Sequence, residues 1–229
     1  MDGNQRQGSR ESGMAQGGSS PTPPSATPEG ADRDGWAGTV RTTERLDTVA
    51  NGVTLVRTVV SVVLAVFALV EASVPLLIVA YAVYWVGDMA DGWSARALDQ
   101  ETRLGAVFDI ISDRACTILC AAAFIRIEPE VAVPIAVFLV QFAVLDTMLT
   151  LGFLYWPVKG PNDMHQVDRT IYRWNWSPPA KAVNTSVVVL LCLVGWPVPA
   201  TVVAAAVGVL KVWSLVRMRG LSTGTITPN

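Results

Sequence analysis

The chain has 229 residues, of which 51% are hydrophobic and only 16% are charged. A soluble domain usually carries about 25% charged residues, so this composition argues against an ordinary soluble domain and indicates a protein of the lipid bilayer. The net charge of −2 decides little, because the distribution of charges along the chain matters more than their sum.

The N-terminal region differs in composition from the rest of the chain. Residues 1–35 are rich in Gly, Ser, Pro and Gln and contain almost nothing that a core could bury, which predicts a disordered cytoplasmic tail. Residues 36–52 mix charged residues such as Arg41 and Arg45 with apolar ones, which predicts a short juxtamembrane helix in the membrane interface. Residues 220–229 are expected to form a C-terminal tail.

Residues 53–219 are predicted to form the membrane domain. A transmembrane helix needs about 20 residues, and the apolar residues here fall into six runs near that length. The runs lie near 53–71, 75–95, 104–125, 131–155, 179–195 and 198–216. We therefore predict an all-α integral membrane protein with six transmembrane helices and a short N-terminal juxtamembrane helix.

The distribution of basic residues predicts the orientation of these helices. With a cytoplasmic N-terminus, one side of the membrane receives nearly all the bases: Arg41, Arg45, Arg96, Arg103, Lys159, Arg169, Arg173, Lys181, Arg217 and Arg219. The opposite side receives Arg126 as its only base. Because cytoplasmic segments are enriched in Lys and Arg, both termini are predicted to be cytoplasmic, and we expect the plasma membrane as the location.

Acidic residues gather between the second and third predicted helices. Asp88 and Asp91 are three residues apart and share a face of the second helix. Asp109 and Asp113 are four residues apart and share a face of the third. Two antiparallel helices joined by a short polar link can point all four carboxylates into one gap. Asp109 and Asp113 lie one to two turns inside an apolar helix, which is unlike solvated loop charges.

These carboxylates predict a metal site. Four unpaired carboxylates near the membrane boundary would repel one another and lose hydration. Divalent cations remove that cost, and carboxylate oxygens suit Mg²⁺ and Mn²⁺. No His or Cys belongs to the cluster, which argues against zinc. We therefore predict that Mg²⁺ or Mn²⁺ is ligated by Asp88, Asp91, Asp109 and Asp113.

The aspartates belong to a longer pattern that resembles the signature of the CDP-alcohol phosphatidyltransferases. The spacing agrees with that signature at Asp91, Gly92, Ala95, Arg96, Gly105, Asp109 and Asp113. Asp88 corresponds to an additional upstream aspartate that is common in the family. Asn51, Thr54 and Arg57 look like a pattern often seen before the first span. A weaker resemblance extends over residues 49–216 through the six-helix layout.

The resemblance implies an enzyme of phospholipid biosynthesis that transfers a phosphatidyl group from CDP-diacylglycerol to an alcohol and releases CMP. It implies that Asp113 is the general base, besides contacting metal or acceptor together with Asp109. The residues expected around the CDP-lipid are Gly92, Ala95, Arg96, Gly105, Asn51 and Thr54. Membrane lipid is a further expected partner, nucleic acid is not, and members of the family are often homodimers.

The acceptor alcohol is less defined, with glycerol-3-phosphate or inositol phosphate as candidates. The segment 156–185 contains bases that fit either an ordinary cytoplasmic loop or a cradle for a phosphorylated acceptor. Asp146 is an acid inside the fourth predicted span, and such residues are functional-site candidates by default. We assign to the acceptor Arg57, Asp146, Arg169, Arg173 and Lys181.

Two other functions are open at this point. An intramembrane prenyltransferase also uses aspartate-rich motifs on diphosphate lipids, but it generally has two separated acidic motifs and more spans, and it releases pyrophosphate rather than CMP. A cation transporter would need polar residues through several spans, whereas the predicted spans are mostly Ala, Val, Leu and Ile.

Overall fold

The computed structural model describes residues 46–225, which form helices and no strand. The α-helices of this part of the chain are α1 (Val49–Glu71), α2 (Val74–Ala97), α3 (Arg103–Ile127), α4 (Ala132–Val140), α5 (Thr147–Leu151), α6 (Arg169–Asn175), α7 (Pro178–Leu193) and α8 (Pro197–Ser222). Shorter 3₁₀ helices lie at Pro129–Val131, Gly152–Tyr155 and Pro161–Gln166, and a π-helical segment, Gln141–Asp146, joins α4 to α5. The predicted tail 1–35, the interfacial segment up to residue 45 and residues 226–229 lie outside the described residues.

Local signals explain where the helices begin. Thr48, Ser73 and Thr102 precede α1, α2 and α3, and each side chain accepts a hydrogen bond from the backbone N–H three residues later. Such caps satisfy N–H groups that have no partner within the helix. Pro178 and Pro197 occupy the first positions of α7 and α8, where a missing N–H costs nothing.

The surface of α1 has the reverse of the pattern found in soluble proteins. Its exposed side includes large apolar residues, among them Leu55, Val56, Val59, Val63, Phe67 and Val70. Its buried side carries small or polar residues: Ala50, Asn51, Thr54, Arg57, Ser61, Ala65 and Ala68. A soluble helix buries its apolar stripe, whereas a membrane helix packs small and polar residues against its neighbours and turns apolar ones to lipid.

Four helical segments within residues 46–225 are long and apolar enough to cross a membrane: Val49–Glu71, Val74–Ala97, Pro129–Tyr155 and Pro197–Ser222. Each coincides with a predicted span. α3 is long enough but less apolar, because Asp109, Asp113 and Arg114 lie in its middle. α7 is shorter than these segments, with 16 residues. The all-α, membrane-embedded class is confirmed, whereas the six spans stay a prediction.

Several segments differ from their predicted form. The fourth predicted span, 131–155, is not one regular helix, because α4 passes through a π-helical segment before α5. The predicted loop 156–178 contains a 3₁₀ helix and α6. α6 is held by Asp168, which accepts a hydrogen bond from the backbone N–H of Ile171 at 2.8 Å and one from Arg217 Nη2 of α8 at 2.7 Å. α1 begins at Val49 and α8 ends at Ser222, outside the bounds of the apolar runs.

Two groups of helices meet along α3. α1 packs along α2 and α3, while α8 packs against α4 and α7. The larger apolar core lies in the second group and includes Ile135, Phe138, Val188 and Ala204. The polar side chains of α2 and α3 therefore face a space that the second group closes from the other side.

Candidate active site

The predicted aspartates come together between α2 and α3. One carboxylate oxygen from each of Asp88, Asp91 and Asp109 lies within 4.8 Å of the other two. Asp91 is buried, and Asp88 and Asp109 are partly exposed. Asp113 does not belong to this group of three, but it lies one turn further along α3 and shares a cationic partner with them.

Arg57 of α1 is that cationic partner, and it lies among the carboxylates. Its Nε is 2.6 Å from Asp91 Oδ2, and its Nη2 is 2.5 Å from Asp109 Oδ1 and 3.0 Å from Asp113 Oδ1. Asp88 Oδ1 is further from Nη2, at 3.5 Å. The side chains of Arg57 and Asp91 are 3% and 6% exposed, so the contact between these two residues is shielded from water and strong. Its predicted role in binding the acceptor stays a prediction.

A second residue of α1, Thr54, also binds the Asp91 carboxylate. Thr54 Oγ1 donates to Asp91 Oδ2 at 2.8 Å, so Asp91 receives hydrogen bonds from two turns of α1. Asn51, a turn earlier, donates through Nδ2 to the carbonyl of Leu46, which fixes the chain just before the helix. The three polar residues predicted at the start of this helix therefore lie on one buried face beside the site.

Two glycines permit the close approach of these helices. A Cβ atom at Gly87 would lie 2.5 Å from Arg57 Cβ and 2.6 Å from Arg57 Cδ. A Cβ atom at Gly105 would lie 2.7 Å from Thr102 Oγ1 and 2.9 Å from Asn51 Oδ1. Real Cβ atoms essentially never lie within 3.0 Å of another heavy atom in this way. A side chain at Gly87 would therefore displace Arg57 from the carboxylates.

A large cavity runs from this site between the two groups of helices. Its volume is about 1230 Å³, which exceeds the 300–1,000 Å³ of most small-molecule sites. The four aspartates line it together with the residues predicted around the CDP-lipid, namely Asn51, Thr54, Gly92, Ala95, Arg96 and Gly105. Its apolar walls include Leu77, Ile78, Phe124 and Leu193. The cavity thus combines a polar, carboxylate-lined part with apolar walls.

A second polar cluster lines the same cavity. Asp146, in the π-helical segment, has its Oδ2 2.5 Å from Arg114 Nη2 and its Oδ1 2.6 Å from Lys211 Nζ. Arg114 Nε also donates to Thr147 Oγ1 at 2.8 Å, and the guanidinium lies 3.8 Å from the centre of the Phe142 ring. Single π-helical turns inside α-helices are frequent at functional sites.

The carboxylate group suits a hard divalent cation. One oxygen from each of Asp88, Asp91 and Asp109 lies within 4.8 Å of the other two, so a single cation could contact all three carboxylates after small side-chain movements. Arg57 supplies a single positive charge against four carboxylates, so additional positive charge would stabilise the cluster. The donor set contains oxygen alone, as Mg²⁺ and Mn²⁺ prefer.

The sequence model of the CDP-alcohol phosphatidyltransferases matches residues 47–216, which include the helices that build this site. The chain belongs to the CDP-alcohol phosphatidyltransferase family. The family resemblance inferred from the residue pattern is therefore confirmed. No curated protein and no solved structure gives a significant match.

Membership of the CDP-alcohol phosphatidyltransferases establishes the class of reaction. The protein is a transferase of phospholipid biosynthesis that uses a CDP-alcohol substrate and an alcohol acceptor. The family generally depends on a divalent metal ion, and the converging carboxylates are a candidate site for it.

The predicted acceptor residues of this phosphatidyltransferase lie in different places. Asp146 lines the cavity, and so does Lys181, whose Nζ donates to Asn162 Oδ1 at 2.9 Å. Arg169 and Arg173 are exposed on α6 and are not among the residues that line the cavity. Their predicted contact with the acceptor stays a prediction.

Sequence reasoning missed the cationic partners of Asp146 in the phosphatidyltransferase cavity. Arg114 and Lys211 are charged residues within apolar helices, and such residues are functional candidates by default. That signal was present in the sequence for both. Gly87, by contrast, lies in an apolar run without any local feature that indicates its contact with Arg57.

Proposed function

We propose that this protein transfers the phosphatidyl group of CDP-diacylglycerol to an alcohol acceptor, with release of CMP, in a reaction that depends on Mg²⁺ or Mn²⁺. The observation that carries the proposal is the convergence of Asp88, Asp91, Asp109 and Asp113 on Arg57, in a cavity that the signature glycines also line. A polar cavity with apolar walls suits a donor with a nucleotide head and acyl chains.

The metal ligands in this proposal are Asp88, Asp91 and Asp109, with Asp113 as a further ligand or acceptor contact. A bound divalent cation would neutralise negative charge on the diphosphate of the donor and on the departing CMP. Arg57 keeps Asp91, Asp109 and Asp113 in fixed positions through its hydrogen bonds. The site is thereby preorganised before substrate binds, which lowers the cost of binding.

Asp113 is the proposed general base. The acceptor oxygen attacks the phosphorus that bears the diacylglycerol, the bond from this phosphorus to the CMP oxygen breaks, and the proton of the acceptor hydroxyl passes to the Asp113 carboxylate. An alcohol is a poor nucleophile and needs such a base within hydrogen-bond reach. Asp113 lines the cavity and lies beside the group of three carboxylates.

The donor would be held by the signature residues on α1, α2 and α3. Gly92 and Arg96 lie together, because the Arg96 guanidinium extends over Gly92, with Nη1 3.4 Å from where a Cβ atom would be. We propose that Gly92, Ala95, Arg96 and Gly105, with Asn51 and Thr54, surround the cytidine and its phosphates. An arginine can pair with phosphate oxygens through two parallel hydrogen bonds.

We further propose six transmembrane spans, with α3 and α7 added to the four segments that are apolar enough by themselves. Asp109, Asp113 and Arg114, the charged residues in the middle of α3, line the cavity, so their presence does not prevent α3 from crossing the membrane. In the proposed topology, the protein lies in the plasma membrane, and its active site and both termini are on the cytoplasmic side. We also propose that it forms a homodimer. Labelling of single introduced cysteines from either side of sealed vesicles tests the topology.

The reaction is tested with the full chain purified and reconstituted in vesicles that contain CDP-diacylglycerol. Candidate acceptors are glycerol-3-phosphate, inositol phosphate and serine, offered together with Mg²⁺. We expect CMP release and a new phospholipid, identified by mass spectrometry, and no reaction in EDTA. Release of pyrophosphate from a prenyl diphosphate, without CMP release from CDP-diacylglycerol, would overturn the proposal.

A further inference from the structure

The cluster of Arg114, Asp146 and Lys211 carries more positive charge than it needs for its own neutrality. One carboxylate faces two cations, at 2.5 Å from Arg114 Nη2 and 2.6 Å from Lys211 Nζ. Lys211 is 1% exposed. A single cation would neutralise Asp146, and a second buried cation carries a large desolvation cost unless a further anion is bound nearby.

Residues that line the same cavity carry buried polar atoms without partners among the described residues. Both amide atoms of Gln141, which is 3% exposed, have none. Asn175 is also 3% exposed, and it uses its Nδ2 on the carbonyl of Ile171 and on Ser214 Oγ, which leaves its Oδ1 unpaired. Trp176, 5% exposed, has an unpaired Nε1. Native proteins rarely leave such atoms unpaired.

These groups together define the chemistry of a ligand. The cationic groups of Arg114 and Lys211 and the N–H groups of Gln141 and Trp176 are donors that suit phosphate oxygens. The oxygens of Gln141 and Asn175 are acceptors that suit hydroxyl groups. A phosphorylated polyol presents both kinds of group in one small molecule.

We propose that this cluster is the acceptor subsite, and that it selects a phosphorylated polyol through Arg114 and Lys211. The inference rests on the proposed function and deepens it, because it names the class of acceptor and the residues that bind it. Arg114 follows Asp113 directly on α3, and both residues line the cavity. An acceptor whose phosphate is bound by Arg114 therefore occupies the same cavity as the proposed base.

Pairs of acceptors test the selection. Reconstituted wild-type protein is assayed for CMP release with glycerol-3-phosphate against glycerol and with inositol phosphate against inositol. We expect release with a phosphorylated member of a pair and almost none with its unphosphorylated counterpart. Equal rates with a neutral polyol would overturn the inference while leaving the proposed reaction intact.

Lys211→Met tests the residue assignment. It leaves the Arg114–Asp146 pair neutral, and loss of a charged hydrogen bond predicts a rise in the KM for the phosphorylated acceptor of about 30-fold. The KM for CDP-diacylglycerol stays unchanged. Arg219→Gln is the matched control, because it removes a charge from the exposed end of the same helix and should change neither KM. A rise in the KM for CDP-diacylglycerol instead would assign the cluster to the donor and overturn the inference.

Gln141→Leu covers the case in which Lys211→Met does not fold. The Gln141 amide is buried and has no hydrogen-bond partner within residues 46–225, so replacing it by an apolar group should leave stability equal or higher. The KM for the phosphorylated acceptor should nevertheless rise about 5-fold, since hydrogen bonds to the ligand are lost. A more stable variant with an unchanged acceptor KM would mean that Gln141 has only a packing role, and would contradict the inference.

A binding measurement separates this inference from the proposed reaction. The melting temperature of the purified full chain is measured with inositol phosphate or glycerol-3-phosphate and without CDP-diacylglycerol. We expect a rise in wild type that Lys211→Met abolishes. This result without any CMP release would support the subsite and refute the reaction. No rise with either compound would overturn the subsite, whatever the reaction.

Discussion

The Nε atom of Arg57 lies 2.6 Å from Oδ2 of Asp91, and this buried pair ties α1 to α2 at the centre of the site. The same guanidinium reaches α3 through Asp109 and Asp113. One cation of α1 thus joins α2 and α3, whose carboxylates would otherwise repel one another. We infer that Arg57 holds the proposed metal ligands in place when no metal ion is bound.

The role of Arg57 predicts that its loss is partly compensated by metal. Arg57→Met should lower the free energy of unfolding by about 3 kcal/mol in EDTA, because it leaves the buried carboxylate of Asp91 without its ionic partner. Mg²⁺ should restore part of this loss and should stabilise the variant more than it stabilises wild type. Thermal unfolding in detergent measures both effects.

Arg126→Met is the control for this experiment, because Arg126 is exposed near the end of α3 and its loss should change stability by less than about 0.5 kcal/mol. An Arg57→Met variant that is as stable as wild type in EDTA would mean that the pair with Asp91 does not hold the helices together.

The contact between Gly87 and Arg57 predicts a steric effect of one methyl group. Gly87→Ala should destabilise the protein by about 1–3 kcal/mol, as insertion of a carbon into a packed contact does, and should reduce CMP release because Arg57 moves. Gly52→Ala is the matched control on α1. A Cβ atom there meets nothing within 4 Å, so helix propensity should stabilise this variant by about 0.5–1 kcal/mol. Equal stabilisation of both variants would contradict the predicted clash.

Substitution of Asp113 and substitution of Asp91 are predicted to affect activity and metal binding differently. Asp113→Asn should reduce CMP release by about 100-fold or more, because it removes the proposed base. It should still bind Mn²⁺, since the oxygens of Asp88, Asp91 and Asp109 converge without it. Asp91→Asn should lose both activity and Mn²⁺ affinity. Electron paramagnetic resonance of Mn²⁺ measures the binding, and full activity of Asp113→Asn would exclude it as the base.

The pair of Asp168 and Arg217 predicts a pH dependence of stability. Burial by itself would raise the pKa of Asp168, but hydrogen bonds from Arg217 and from the N–H of Ile171 outweigh burial and lower this pKa below its ordinary value. A carboxyl whose pKa is lower in the folded state stabilises the fold above its unfolded pKa. That stabilisation is lost as pH falls through the folded pKa.

Asp168→Asn tests this dependence and retains a residue that can cap α6. We expect wild type to exceed the variant in unfolding free energy by about 2 kcal/mol at neutral pH, with a difference that shrinks below about pH 4. Thermal unfolding at a series of pH values measures the difference. A difference that does not change with pH would mean that the charge of Asp168 is not the cause.

The helices and the signature could be predicted because their signals are local. A run of apolar residues the length of a span is visible without knowledge of its neighbours, and the spacing of Asp88 with Asp91, and of Asp109 with Asp113, places each pair on one helix face. Both pairs lie within residues 47–216, which match the family model.

Contacts between distant helices could not be predicted in the same way. Arg57 belongs to a pattern of polar residues on α1 that also includes Asn51 and Thr54. Nothing in that pattern indicates that the Arg57 guanidinium lies between carboxylates of two other helices. Lys211 reaches Asp146 only because of the way α8 packs against the π-helical segment. The π-helical segment lies in a mainly apolar run, and its two polar residues, Gln141 and Asp146, give no local signal for the change of helix type.

The rate of CMP release from CDP-diacylglycerol with Mg²⁺, compared among wild type, Asp109→Asn and Asp99→Asn, tests the central claim most directly. Asp109 contributes to the carboxylate group, whereas Asp99 is an exposed residue with a positive φ of 50° in the turn after α2, a conformation that Asn tolerates well. We predict that Asp109→Asn retains no more than about 1% of the wild-type rate and that Asp99→Asn retains nearly all of it. A wild-type rate in Asp109→Asn, or CMP release that persists in EDTA, would contradict a metal-dependent phosphatidyl transfer at the aspartates.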